Sequence, residues 1–282
     1  MIQSDNHVHT NFSTDGTATM EAQLLRARAL SLSSLCFTDH IDYGFPRERY
    51  QMDFLFPVEE YFSAIEKLRE QYPDFPLRAG VELGLKKDVL PQCLSLTESF
   101  PFDFVIGSTH LVEDMDPYYQ EYWEGNGEMG GIARYYEATL ENVQMDFDFD
   151  VYGHLDYVIR YCPTIKAAKE TGHIREDCYE SYYQKNRDTI GEILRCLIAR
   201  GRGIELNTGG LKYGLGHPNP HENILCLYRD LGGEFVTVGS DAHQEKHLAF
   251  DFSKVPGILA ACGFSHYTEY HGRKPVQLPV VS

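Results

Sequence analysis

The chain has 282 residues, 43% hydrophobic and 13% aromatic, which is enough to bury a large core and gives no sign of disorder. Its formal charge of −17, from 42 acidic and 25 basic residues, argues against a protein wrapped along a nucleic-acid backbone, which needs basic surface. No apolar run of 18 residues occurs, so nothing is expected to span a membrane.

The N-terminus, MIQSDNHVHT, lacks the basic and apolar regions of a secretory signal, so the cytoplasm is the expected compartment. A first strand is expected over Asp5–His9, followed by a helix over Thr19–Leu30 with Thr17 or Thr19 as its cap and Glu21 in its first turn. Next come a strand over Leu35–Asp39, a helix over Val58–Gln71, a strand over Leu77–Glu82 and a helix over Asp88–Glu98. Phe104–His110 reads as a strand and Ile132–Gln144 as a helix, separated by an irregular aromatic stretch, Glu113–Gly131, with the character of a lid. Val151–His154 is the next strand, Arg160–His173 an insertion and Glu176–Ala199 a long helix. Gly203–Asn207, Glu222–Leu231 and Phe235–Asp241 complete the alternation as strand, helix and strand. Such alternation implies parallel strands with right-handed crossovers. The seven cysteines form no CxxC pair and are expected to be reduced and mostly buried.

Polar residues with metal-binding chemistry recur at the ends of these strands. They are His7 and His9 in HVHT, Asp15 in STDG, Asp39 and His40 in TDH, and Glu82 in GVEL. His110 follows in GSTH, His154 and Asp156 in GHLD, and Asp241 and His243 in GSDAH. Histidines two apart on a strand point to the same face, so HVHT can present two imidazoles to one ion. Six imidazoles and five carboxylates exceed what one ion takes, which points to a site of two or three metals. In a parallel barrel the strand C-termini converge on one face, where residues distant in sequence meet. Glu82 is attractive as a bridge because a carboxylate can bind two ions at once. The strand Gly203–Asn207 ends in Glu205 and Asn207, polar but not obvious ligands.

HVHT, Asp15, TDH, GVEL, STH, GH and SDAH, in this order over residues 1–243, resemble the polymerase and histidinol phosphatase (PHP) superfamily. Overall length and the segments GHLDYVIRY and ELNTGGLKYG look most like its stand-alone histidinol-phosphatases of histidine biosynthesis. The resemblance implies an α/β fold, a distorted TIM-like (β/α)7 barrel, as one domain over residues 1–282. It also implies three divalent metal ions, with zinc, iron and manganese all compatible with the ligand types. Carried over motif by motif, His7, His9, Glu82 and Asp241 would hold the first and Glu82, His110 and His154 the second. Asp15, His40 and His243 would hold the third. The implied reaction is hydrolysis of L-histidinol phosphate to L-histidinol and phosphate by a metal-bridging hydroxide, without a phospho-enzyme. Glu82, Asp241, His243 and Asp42 are the expected catalytic residues.

Arg160 is a candidate for clamping the phosphate bidentately, and Lys212 for meeting it as a point charge. Asp39 and Asp156 are candidates for orienting ligand histidines, and Asp42 for that task or for protonating the leaving group. His173, His247, His266 and His271 read as loop or surface residues, while His217 and His221 belong to a loop on the active face. Three rival readings exist: a PHP phosphatase for a nucleotide or sugar phosphate, an amidohydrolase-like enzyme, and a non-enzymatic PHP module attached to a polymerase. No lysine is placed as the bridging carbamate of the second, and the charge counts against the third. The expected partner is a small phosphate ester, with neither nucleic acid nor membrane, and the sequence leaves oligomeric state open.

Overall fold

Apolar β-strands separated by amphipathic helices can bury both sheet faces only by wrapping the helices around the sheet. The computed structural model, which describes residues 2–171 and 176–280, shows this arrangement. The barrel strands are β1 (Ser4–Val8), β2 (Ser34–Phe37), β3 (His40–Ile41), β4 (Leu77–Gly84), β5 (Phe104–Ser108), β6 (Val151–Tyr152), β7 (Gly203–Asn207) and β8 (Val236–Gly239). They run parallel in the order β1-β2-β4-β5-β6-β7-β8, with β3 also on β4. His9 N donates to Ala242 O at 3.0 Å and Asp241 N to His7 O at 2.8 Å, which brings the end of β8 back to β1 and nearly closes the barrel. β2 and β3 are one interrupted strand, pairing successively with Leu77–Ala79 and Glu82–Leu83 of β4.

The helices follow their sequence signals. Thr19, not Thr17, caps Met20–Ala29 by accepting from Ala22 N, with Glu21 in the first turn. The helix Val58–Gln71 buries Val58, Tyr61, Ile65 and Leu68, a three-four-three spacing that makes one apolar stripe. The expected helix over Asp88–Glu98 divides into a short 3-10 turn, Lys87–Val89, and Leu90–Ser99. Glu113–Gly131 is less irregular than expected. It contains a helical turn, Glu121–Glu124, and the long helix Gly127–Gln144 begins inside it. Arg160–His173 likewise holds the end of a 3-10 helix, Tyr157–Tyr161, and a helix, Pro163–Thr171; His173 itself lies outside the described residues.

Several strands stop earlier than expected. β5 ends at Ser108, β6 at Tyr152 and β8 at Gly239, so His110, His154 and Asp241 stand on the rim beyond the ladder. Glu82 departs the other way: β4 continues to Gly84, so this carboxylate lies within the strand and is fully buried. After β8 the chain adds the helix Val255–Ala261 and an antiparallel hairpin, β9 (His266–His271) and β10 (Lys274–Pro279), which the strand count did not anticipate. The hairpin packs at the opposite, N-terminal end of the barrel, where Arg273 N donates to Asp103 O at 2.9 Å.

Candidate metal centre

At the C-terminal face the rim residues converge around Glu82. Its Oε2 lies 3.0 Å from His7 Nε2, 3.0 Å from His40 Nδ1 and 3.4 Å from His9 Nε2. Its Oε1 lies 2.8 Å from His154 Nε2 and 3.1 Å from His110 Nε2, and accepts from Ser108 Oγ at 2.7 Å. The two oxygens thus face two separate groups of imidazoles. Asp241 Oδ1 approaches the first group, 3.4 Å from His9 Nε2 and 4.0 Å from His7 Nε2. Asp15 Oδ2 lies 3.2 Å from His243 Nε2 and 4.0 Å from His40 Nε2, forming a third group at the more exposed edge. The His9 ring stacks between His40 and His243, with centroids 4.1 Å from each.

The ring partners decide what these nitrogens can do. Glu205 Oε1 lies 2.7 Å from His7 Nδ1, and a carboxylate only accepts, so the His7 ring proton sits on Nδ1. Ser13 Oγ donates to Asp39 Oδ1 at 2.7 Å and therefore accepts from His9 Nδ1 at 3.1 Å. Asp42 Oδ2 accepts from His110 Nδ1 at 2.8 Å. When these three rings are neutral, as metal ligation requires, their Nε2 atoms are lone pairs aimed at one another and at a carboxylate. His7 Nε2 and His9 Nε2 are only 3.0 Å apart. Acceptors facing acceptors in a buried site repel unless a cation lies among them, so the donor set fits divalent metals. Among the described residues four groups have ligand atoms within 4.8 Å of one another; His7–His9–Glu82 and Glu82–His110–His154 follow the division between the two Glu82 oxygens, and His9–His40–His243 joins the first group to the third. The fourth, His40–Asp42–His110, was not anticipated.

Electrostatics point the same way. Burial works to raise the Glu82 carboxyl, but the imidazoles of His7, His40, His110 and His154 outweigh it and hold it well below the usual carboxylate range. Burial and the neighbouring His243 and His40 push His9 well down, while Glu205 and Glu82 overcome burial to push His7 well up. The cluster cannot protonate all its rings together.

Local structure holds these groups in place. Asp241 has φ of +55°, a left-handed conformation uncommon for a non-glycine residue. Asp5 stabilises that turn by accepting from Ser240 N and Ala249 N, each at 2.9 Å, and from Ser240 Oγ. Gly239 has no room for a side chain: a Cβ would stand 2.3 Å from His7 Cβ and 2.5 Å from Glu205 Oε1. Asp39 serves His9 through Ser13 rather than directly. Asp156 touches none of the clustered histidines. It accepts from Asn219 Nδ2 at 2.5 Å, and Asn219 Oδ1 accepts from Arg160 Nε at 2.6 Å, so Asp156 supports the arginine.

Arg160 is buried and also donates to Asp241 Oδ2 at 2.9 Å and Asn207 Oδ1 at 3.0 Å, which leaves one proton free on each terminal nitrogen. Lys212 Nζ donates to Asp241 O at 2.6 Å, and burial lowers its pKa. Both line a cavity of about 410 Å³ together with His40, Asp42, His110, His154, Asp241 and His243. His247 lines it too, although its sequence position suggested only a surface loop. His217 and His221 instead pack on Tyr179, whose ring stacks on His221 at 3.8 Å. Tyr122 and Trp123 are buried and pin their own loop through Gly131 O and Pro117 O.

Glu205 is the residue that sequence reading missed. Besides His7 it accepts from His154 N at 2.9 Å and Asn207 Nδ2 at 3.0 Å, tying the two imidazole groups together from below. A signal was available: Glu205 sits between Ile204 and Leu206 in a strand that is buried throughout, and a buried carboxylate needs partners.

Comparison with known proteins agrees with this geometry. The family model for the PHP domain matches residues 5–209. The chain belongs to the PHP domain family. This PHP protein is 30% identical to the histidinol-phosphatase of Lactococcus lactis subsp. lactis over 97% of this chain and 96% of that one. It is 30% identical to a probable histidinol-phosphatase of Thermotoga maritima over 96% and 97% of the two chains. The crystal structure of the Lactococcus lactis histidinol phosphate phosphatase complexed with zinc, L-histidinol and phosphate superposes with a TM-score of 0.85, covering 97% of this chain and 98% of that one. A putative histidinol phosphatase from Listeria monocytogenes, 20% identical, shares the fold with a TM-score of 0.75 over 89% and 99%. Among the described residues no helix is long and apolar enough to cross a membrane.

Proposed function

We propose that this PHP protein is a metal-dependent phosphomonoester hydrolase that converts L-histidinol phosphate and water to L-histidinol and phosphate, a step of histidine biosynthesis in the cytoplasm. The observation that carries the reading is the division of imidazoles between the two oxygens of Glu82, beside a buried arginine in the same cavity. His7, His9, Glu82 and Asp241 would hold one divalent ion, Glu82, His110 and His154 a second, and Asp15, His40 and His243 a third; zinc, iron and manganese all suit these donors. When bound, such ions supply Lewis acidity that makes water a nucleophile at neutral pH and positive charge opposite the phosphoryl oxygens.

The chain's own residues supply orientation and charge. Glu205, Ser13 and Asp42 fix the ring protons of His7, His9 and His110 on the outward nitrogens, so the inward lone pairs are ready without reorganisation. The role that this geometry supports for Asp42 is to orient His110. Arg160 offers its two remaining protons to phosphoryl oxygens as a planar fork, held rigid by Asn219, Asn207 and Asp241. Lys212 adds one more donor from the far side of Asp241. An amidohydrolase-like centre is disfavoured because the bridging position belongs to Glu82 rather than to a lysine. The reading is tested by turnover of purified protein against a panel of phosphate monoesters with manganese or zinc added. L-histidinol phosphate should give the highest kcat/KM; a large preference for a nucleotide or sugar phosphate would sink the substrate assignment.

A further inference from the structure

The phosphate-binding end of the cavity is cationic, yet the cavity is also lined by four carboxylates, Asp15, Asp42, Asp116 and Asp241. Three of them have cationic or imidazole partners. Asp15 lies beside His243, Asp42 beside His110, and Asp241 beside Arg160. Asp116 differs. Among the described residues no lysine, arginine or histidine nitrogen pairs with it within 4.0 Å, and its Oδ1 accepts only Tyr118 N, at 2.8 Å. It stands on the loop after β5, and its own N–H donates to Tyr50 OH at 3.1 Å. The residue is half-buried, and burial raises its carboxyl to about 6, so at neutral pH it is a largely ionised and poorly solvated anion.

An unpaired anion in a cavity built for a phosphate repels that phosphate unless the two sit at opposite ends of a bipolar ligand. The wall around Asp116 suits the positive end. Tyr118, Tyr119, Tyr157 and Tyr161 line the same cavity, and ring faces attract organic cations; Lys166 already lies over Tyr118 and Tyr161 and Arg160 over Tyr157, while among the described residues no cationic side chain lies over Tyr119. Tyr119 is braced by stacking on Tyr50, with ring centroids 4.2 Å apart.

We propose that Asp116 is the specificity-determining anion of this cavity: its carboxylate pairs with a cationic group on the substrate, restricting turnover to phosphate monoesters that carry an organic cation. This rests on the phosphatase reading above, and it assigns to one residue the selection against neutral and purely anionic esters.

The test compares wild-type enzyme with Asp116→Asn, loaded with the same metal. The amide keeps an oxygen for Tyr118 N, so the loop turn is retained. Substrates are L-histidinol phosphate, phosphoethanolamine and glycerol 3-phosphate, and calorimetry measures binding of free L-histidinol. The ratio of kcat/KM for the cationic over the neutral ester should fall about 10- to 100-fold in Asp116→Asn, with L-histidinol binding weakened by a similar factor. An unchanged ratio and unchanged L-histidinol affinity would overturn the role of Asp116 and leave the histidinol phosphate reading intact. Wild-type preference for phosphoethanolamine, lost in Asp116→Asn, would support Asp116 and overturn the histidinol assignment. Wild-type preference for glycerol 3-phosphate would overturn both.

Discussion

The two ends of the barrel both bury charge, and they do so differently. At the N-terminal end Asp150 and Asp103 each have several donors. Asp150 Oδ2 accepts from Arg273 Nε at 2.7 Å and Val105 N at 2.7 Å. Asp103 Oδ2 accepts from Ala79 N at 2.9 Å and Arg69 Nη2 at 3.1 Å, and its Oδ1 from Gly272 N at 3.1 Å. The β9–β10 hairpin covers these pairs. At the C-terminal end five imidazoles crowd around one carboxylate, Glu82, and the groups border a cavity instead of being covered. Satisfied buried charge holds a fold together, whereas unsatisfied buried charge of one chemical kind marks where something else must bind.

The contrast breaks at its strongest point if Glu82 proves replaceable. Glu82→Gln keeps the volume but removes the negative charge shared by the two imidazole groups. Turnover should fall by about 1,000-fold or more, because charge stabilisation at such a centre amounts to several kcal/mol. The strand should persist, since the packing residues Leu77, Ala79, Val81 and Leu83 are untouched. Metal analysis, circular dichroism and kcat measured on one preparation decide the matter. Near-wild-type kcat in fully metallated Glu82→Gln would place the bridging role elsewhere.

The opposite end should respond in stability and not in rate. Arg273→Ala leaves Asp150 buried without its counter-charge. Breaking a fully buried pair costs about 3–5 kcal/mol; Arg273 is 24% exposed, so about 2–3 kcal/mol is expected here. The effect carries a pH signature. Burial already raises the Asp150 carboxyl to about 6 against the ordinary 3.8, partly offset by Arg273. A raised carboxyl stabilises the fold below pH 4, and that contribution is lost as pH rises through about 6. Removing Arg273 pushes the carboxyl further up and extends the loss to higher pH. Urea unfolding should therefore show a larger deficit at pH 8 than at pH 5, while kcat of the folded fraction stays unchanged. A deficit independent of pH would remove Asp150 from the account.

The same contrast explains what was legible in the sequence. Short polar motifs at strand ends gave away the metal cluster because each carries its chemistry within three or four residues, and the parallel alternation brings the ends together. Strand lengths were overestimated at β5, β6 and β8 because the motif residues leave the ladder at the rim, as the left-handed backbone of Asp241 shows. Glu205 reads as polar without a role because its partners, His7 and His154, lie on other strands and nothing beside it in GIELN names them. The hairpin was illegible for a related reason. Arg273 and Asp150 are 123 residues apart, and neither belongs to a motif.

Glu205→Gln tests whether the missed residue belongs to the functional end. Glu205 accepts three protons, from His7 Nδ1, His154 N and Asn207 Nδ2. A glutamine side chain has one oxygen and would turn an N–H toward one of these donors. Outer partners of metal ligands typically affect affinity or activity by about 10- to 100-fold, and kcat/KM and metal retention during dialysis should fall within that range. Full activity with normal metal retention would reduce Glu205 to a packing role.

The smallest effect concerns a pair that belongs to neither end. Arg28 and Asp74 make a well-formed surface ion pair, two parallel hydrogen bonds of 3.0 and 2.9 Å, with the guanidinium 5.7 Å from the Tyr72 ring centre. Arg273–Asp150 rests on a single bond of 2.7 Å, so by hydrogen-bond count the surface pair exceeds it. Its side chains, however, are 38% and 66% exposed, so water competes for both partners and salt screens their attraction. Arg28→Ala should therefore barely move the urea unfolding midpoint, with the deficit shrinking further as salt is added. Comparison with Arg273→Ala separates the two explanations of the barrel's charged ends. If hydrogen-bond geometry set the cost, Arg28→Ala would cost at least as much as Arg273→Ala. If burial sets it, Arg273→Ala should cost several times more, and that difference should survive high salt because water and ions reach only the exposed pair.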